Sequence, residues 1–247
     1  MSFVAGLSRP LNADAPKEEE PKANVVKKTP PDPAVDKAAL DRVITMWSES
    51  KNTFFRNKWL GLPTLQNPMD VWVTQEIMFE TKPDFIVEAG TFVGGSAALW
   101  ATILAQINPK GRVITIDVVD RMAEARKLPI VKRHVDFLLG SSTDDKVVKE
   151  VKRRVKGHSA MVILDSLHTK EHVLNELHAY APIIPVGGYL IVQDAFLNGH
   201  PAPEGWGPGP YEAVEEFLKE SNNFVSDRDR ERLMITFNPT GFLKRVK

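Results

Sequence analysis

Along residues 67–196 the hydrophobic positions follow two alternating patterns. Short runs, apolar at nearly every position, have strand length: DFIVEAG (84–90), GRVITIDVV (111–119), VDFLLGSS (135–142), SAMVILDSLH (159–168) and GGYLIVQDAF (187–196). Between them lie segments with apolar residues at helical spacing: GSAALWATILAQI (95–107), a weaker DRMAEARKL (120–128), the charged amphipathic DKVVKEVKRRV (145–155) and KEHVLNELHAYAPII (170–184). NPMDVWVTQEIMFE (67–80) reads as a further helix, with Asn67 as N-cap and Pro68 at the first helical position. Strands that look apolar on both faces and alternate with helices predict an α/β fold on a parallel sheet. Such open sheets bind ligands beyond the carboxyl ends of their strands.

Residues 1–35 break the pattern. They hold six of the eighteen prolines together with KEEE and VVKKTPPDP, a composition that buries little and predicts a disordered tail. A helix is expected from Pro33 to about Ser48, leading into a domain over 36–247. The 247 residues, 43% hydrophobic and 26% charged, suit one globular domain plus that tail. A formal net charge of zero argues against nucleic acid as the main partner. The absence of cysteine excludes disulfides, thiolate nucleophiles and Cys-ligated metal sites, and fits a reducing cytoplasm. No run approaches the roughly 18 apolar residues of a membrane span, and the N-terminus lacks an apolar signal core.

The chemistry begins at EAGTFVGGS, which closes the first strand of the regular region. Its glycines are Gly90, Gly94 and Gly95; Phe92 stands where a dinucleotide-binding G-x-G-x-x-G turn needs glycine, and no Lys-Ser/Thr comes after them for a P-loop. Gly90 and Gly94 would let the backbone approach a ligand, with Thr91 and Ser96 beside them, while Glu88 would offer a carboxylate to a cationic group. Asp117, about 29 residues after Glu88 at the next strand end, is placed to accept both hydroxyls of a ribose, or else to cap the next helical segment. Ser141 and Ser142, in LLGSS, could contact a nucleobase or cap a helix. Asp165 and Asp194 end the next two strands; two such carboxylates can hold a hard divalent cation, with Gln193 as a neutral third ligand. His168, three residues after Asp165, can lie near that cation without binding it, while His172 and His178 on the next helix are expected to face solvent or pack. The Gly/Pro-rich LNGHPAPEGWGPGP is a candidate lid carrying Asn198, His200 and Trp206.

The turn EAGTFVGGS looks like the first motif of class I S-adenosylmethionine methyltransferases. From about residue 55 onward the chain resembles the cephalosporin hydroxylase family, which includes rhamnosyl O-methyltransferases. The resemblance is carried by WLGLPTLQNPMDVWVTQEI, DFIVEAGTFVGGSA, LDSLHTKEHVLNEL, GGYLIVQDAFLNGHP, GPGPYEAVEEFL and LMITFNPTGFLKRV, in that order. It implies a Rossmann-like class I methyltransferase fold with a mostly parallel seven-stranded sheet flanked by helices. It also implies S-adenosylmethionine as cofactor, a magnesium-type site, and a homo-oligomer.

Carried over residue by residue, the resemblance makes Asp165 and Asp194 metal carboxylates. Gln193 stands where the family commonly has glutamate, which removes one negative charge. His168 becomes the base, in the place of the lysine of catechol-type methyltransferases. The function implied is methyl transfer to a hydroxyl of a small molecule, a sugar or secondary metabolite. Two alternatives differ in class. One is a cofactor-binding module that has lost catalysis. The other is a non-haem iron oxygenase using His134, Asp136 and His200.

Overall fold

The computed structural model describes residues 36–201 and 205–247. The expected tail over 1–35 lies outside them. Helix α1 (Lys37–Glu49) starts later than the expected Pro33, where Asp36 caps the amides of Ala38 and Ala39. A two-residue hairpin pairs β1 (Lys58–Trp59) with β2 (Leu62–Pro63). Helix α2 (Pro68–Thr81) opens as the sequence predicts, with the Asn67 side chain accepting from Met69 N.

The regular region then alternates β3 (Phe85–Ala89), α3 (Gly95–Ile107), β4 (Arg112–Asp117), α4 (Pro129–His134), β5 (Val135–Leu139), α5 (Asp145–Val155), β6 (Ala160–Leu164), α6 (Lys170–Tyr180) and β7 (Tyr189–Val192). The helix expected over 120–128 is instead a turn with a single 3-10 turn at Ala125–Lys127. Pro129, with its fixed φ, opens α4 immediately afterwards. Helix α7 (Pro210–Glu220) and strands β8 (Phe224–Ser226) and β9 (Phe242–Arg245) complete the order.

Seven strands form one sheet in the order β5-β4-β3-β6-β7-β9-β8. The pairings from β5 to β7 are parallel; β9 runs antiparallel between β7 and β8. From β3 the chain winds outward through β4 and β5, then returns to lay β6 and β7 on the other side. That reversal opens a crevice at the carboxyl ends of β3 and β6, the place where such sheets take ligands. Alternate strand residues divide the core between two faces. Val87, Ile114, Val162 and Leu190 pack under α5, α6 and α7, while Ile86, Val113, Met161 and Ile191 pack under α2 and α3.

Glu88 shares the second face, and this corrects its expected role. It is 1% exposed and does not line the crevice. Its Oε1 accepts from Trp100 Nε1 on α3 at 3.0 Å, and its Oε2 from the Thr115 hydroxyl on β4 at 2.6 Å. The strand's period of two turns Glu88 towards α3, so it braces the base of the glycine turn instead of meeting a ligand.

Burial pushes the Glu88 carboxyl up to about 7, against hydrogen bonds from Thr115, Ser96 and Trp100 that pull it down. The folded chain therefore keeps a proton that the unfolded chain, with an ordinary value of 4.5, gives up. The stability this contributes is complete below pH 4.5 and is lost as pH rises to about 7. Glu88→Gln, a neutral replacement able to keep the Trp100 and Thr115 partners, is expected to flatten the decline. The slope should fall by at most about 1.4 kcal/mol per pH unit. Urea unfolding at successive pH values measures it; parallel wild-type and mutant profiles would show that Glu88 does not titrate on folding.

Candidate active site

A cavity of about 630 Å³ opens beyond the strand ends, and among the predicted residues Gly90, Thr91, Gly95, Ser96, Asp117, Ser141, Ser142, Asp165, His168 and Asp194 line it. Gly94 does not: at φ +83° it is the N-cap of α3, and a Cβ there would strike Ala125 and Met122. Thr91 turns its hydroxyl inward to Thr115, 2.7 Å away, so only its backbone is offered to the cavity. Asp117 accepts from the amides of Thr91 and Phe92 at 3.1 and 2.9 Å, and from Val119 N at 3.1 Å. It thus pins the turn in addition to facing the cavity. A carboxylate has about four lone-pair sites, so capacity for a further donor remains.

Asp165 comes directly after β6, held there by its amide on Ala89 O at 2.8 Å, and Asp194 comes two residues after β7. Asp194 adopts φ +55°, a left-handed conformation that costs a non-glycine residue of order 1–3 kcal/mol. His168 Nε2 lies 3.2 Å from Asp194 Oδ2 and 4.0 Å from Asp165 Oδ1. About a fifth of each of these three side chains stays accessible.

Burial, then the charges of Asp194 and Glu88, raise the Asp165 carboxyl well above the usual range. Burial also raises Asp194, with His168 opposing it. Among the described residues no lysine or arginine pairs with either carboxylate. Ligand atoms of Asp165, His168 and Asp194 lie within 4.8 Å of one another. Two hard oxygens and one imidazole nitrogen fit a divalent cation.

Gln193 does not join them. It is buried, and its amide forms a reciprocal pair with Gln66: Gln66 Nε2 donates to Gln193 Oε1 at 2.9 Å, and Gln193 Nε2 to Gln66 Oε1 at 2.7 Å. With oxygen and nitrogen both engaged, the expected third ligand is a brace. Gln66 Nε2 also donates to Asp165 Oδ2 at 3.0 Å, so Gln66 orients the Asp165 carboxylate. Sequence reasoning missed it, because Gln66 precedes the Asn67 cap in what read as a helix approach.

On the far wall Ser142 and Ser166 meet His172 and Glu176. His172, expected to face solvent or pack, lines the cavity, with Nε2 3.1 Å from Ser142 Oγ. Its partner Glu176 holds its pKa above the ordinary imidazole value. His178 lies at the surface, 3.1 Å from Glu220. Neither Ser141 nor Ser142 caps α5; Asp144 does.

The loop after Asp194 also differs from expectation. Asn198, His200 and Trp206 do not line the cavity. Asn198 Nδ2 donates to Glu212 Oε1 at 2.9 Å, His200 Nε2 lies 3.0 Å from the same oxygen, and Gly209 N donates to Oε2 at 2.7 Å. Glu212, at the start of α7, therefore gathers the loop. Its carboxyl is lowered to about 2, burial being outweighed by bonds from Gly209, Asn198 and His200. Trp206 Nε1 reaches His168 O at 3.2 Å, which ties the loop to the histidine's main chain.

The iron alternative finds no site. His134 Nδ1 lies 3.0 Å from Gly111 O just before the edge strand β5, Asp136 within that strand is taken by Arg112 at 2.6 Å, and His200 is with Glu212.

The family model described as Rhamnosyl O-methyltransferase/CmcI matches residues 51–246. A Rhamnosyl O-methyltransferase of Mycobacterium tuberculosis (strain ATCC 25618 / H37Rv) is 35% identical over 205 residues, spanning 81% of this chain and 82% of the relative. One from Mycobacterium leprae (strain TN) is 32% identical over 192 residues, 76% of this chain and 82% of that one. Among solved structures, CmcI with Mg-SAM aligns at TM-score 0.60 and 20% identity over 82% of this chain and 84% of that one. The O-methyltransferase TomG from Streptomyces achromogenes, in complex with SAM, aligns at TM-score 0.51 and 18% identity over 77% and 82%. The structural likenesses carry the fold, and the sequence matches carry the family. The chain belongs to the Rhamnosyl O-methyltransferase/CmcI family and is an O-methyltransferase with the class I fold.

Proposed function

We propose that this enzyme transfers the methyl group of S-adenosylmethionine to a hydroxyl of a small-molecule acceptor, foremost a sugar hydroxyl, beside a divalent cation such as magnesium held by Asp165 and Asp194. One observation carries the reading: Asp165, Asp194 and His168 converge at the cavity next to the Gly90 turn. The sulfonium of the cofactor supplies an electrophilic methyl, and a divalent cation supplies Lewis acidity that lowers the pKa of a hydroxyl next to it.

The chain's own groups do the rest. The backbone at Gly90 and Gly95 lines the cavity beside the cofactor, and Asp117 accepts from its ribose. Gln66 holds Asp165 in orientation. His168, aligned by Asp194, takes the acceptor proton as attack proceeds. Nucleophile, methyl carbon and leaving sulfur must lie in line, and rigid strand ends provide that placement.

The named relatives are rhamnosyl O-methyltransferases, which favours a deoxysugar hydroxyl as the acceptor. No helix among the described residues is long and apolar enough to cross a membrane. The lack of cysteine supports a cytoplasmic setting, and zero net charge supports a partner list without nucleic acid. The exposed Met69, Trp72 and Phe79 along α2 support a homo-oligomer.

Three measurements test these readings. Asp117→Ala should weaken S-adenosylhomocysteine binding by about 10–100-fold, as for a lost charge-assisted bond of roughly 1.5–3 kcal/mol. An unchanged dissociation constant in a folded mutant would confine Asp117 to pinning the turn. Methylation should require magnesium and vanish in excess chelator or in Asp165→Ala. His168→Ala should slow turnover by about 10²–10⁴-fold while calorimetry still detects magnesium binding. Full activity in chelator would remove the cation from the mechanism. Sedimentation should give a species larger than one chain, which Trp72→Glu shifts towards monomer; a wild-type monomer would sink the oligomer.

A further inference from the structure

Glu176 on α6 has no exposed surface and stands behind the cavity wall made by Ser142, Ser166 and His172. Its contacts converge on one oxygen. Oε1 accepts the hydroxyl protons of Ser142 and, at 2.6 Å, of Ser166, and lies 3.3 Å from His172 Nε2. Its other oxygen is buried without a partner among the described residues. A serine hydroxyl has one proton and two lone pairs. With both protons turned back to Glu176, both serines offer the cavity only lone pairs. Tyr180 donates its hydroxyl to Ser142 O at 2.6 Å, which fixes the backbone that carries the first serine. His172 Nε2 lies 3.1 Å from Ser142 Oγ, on the same side as Glu176.

A ligand edge meeting this wall must therefore bring N–H donors; a carbonyl there would set lone pair against lone pair. Ser142 comes after β5, the neighbour of β4, whose end carries Asp117. A ribose at Asp117 leaves its base within the same cavity as this wall.

We propose that Glu176 is a positioning residue that polarises Ser142 and Ser166 to read the exocyclic amino group of the cofactor's base, so that the enzyme accepts an adenosyl and rejects an inosyl cofactor. This rests on the S-adenosylmethionine reading above and deepens it. The test compares calorimetric binding of S-adenosylhomocysteine with that of S-inosylhomocysteine, which has a 6-oxo group in place of the amine, on the full chain.

Wild type should prefer the adenosyl compound by about 10–100-fold. Ser166→Ala should reduce that ratio severalfold. Glu176→Gln, whose amide can donate to the serines and free their protons, should bring it close to one. Should Glu176→Gln fail to fold, Ser142→Ala and Ser166→Ala carry the test, and a ratio unchanged in both overturns the proposal. A Glu176 variant that loses affinity for both compounds alike, with the ratio intact, also overturns it, since that is the mark of a merely structural role. Equal wild-type affinities overturn the proposal and leave the cofactor reading standing. No binding of either compound overturns both.

Discussion

The site depends on how closely the turn after β3 can approach the end of β6. Gly90, at φ +96°, packs against the main chain of Asp165 so tightly that a Cβ would stand 1.8 Å from the Asp165 carbonyl oxygen. No side chain fits there, and only glycine takes that φ freely. The contact makes the glycine turn and Asp165 neighbours. It also explains why Glu88 and Asp117 work from either side of the turn: one braces its base through Trp100 and Thr115, the other ties down its amides.

The strand and helix pattern from 67 to 192 was readable because apolar runs of different length and period stand beside each other. The strand ends then located Asp117, Asp165 and Asp194. Glu88 was misjudged for a physical reason. In a strand buried on both faces, periodicity shows that residues alternate without showing which set meets the ligand. Gln193 was misjudged because its neighbour in space, Gln66, is 127 positions away in the chain. Glu176 was invisible because in one sequence a carboxylate on an amphipathic helix looks the same whether it faces water or two serines. The turn at 120–128 was overread as helix because its charges suit one, while Pro129 sets the true start.

Around the site, amides and hydroxyls hold the carboxyl groups in place. Gln66 and Gln193 satisfy each other and leave one N–H for Asp165. Thr115 serves Glu88 and also meets Thr91. Asp70, whose carboxyl burial raises to about 7, is held by Thr236, Asn67 and the Phe237 amide. It fastens the start of α2 to the segment that also supplies Asn238 to the Asp194 amide. Satisfied networks of this kind rigidify a region because every member constrains another. Here the rigidity falls on Asp165 and Asp194 at the strand ends.

The inner place of β9 bears on how the molecule is made. β7, the strand leading to Asp194, gains its outer neighbour only from residues about fifty positions further along the chain. Until β9 slots in antiparallel, a nascent or partly unfolded chain shows β7 with one edge of unpaired amides and carbonyls. Those groups are a template for the wrong strand, from this chain or another. β7, which leads to Asp194, is thus open to mispairing during synthesis until residues 242–245 arrive.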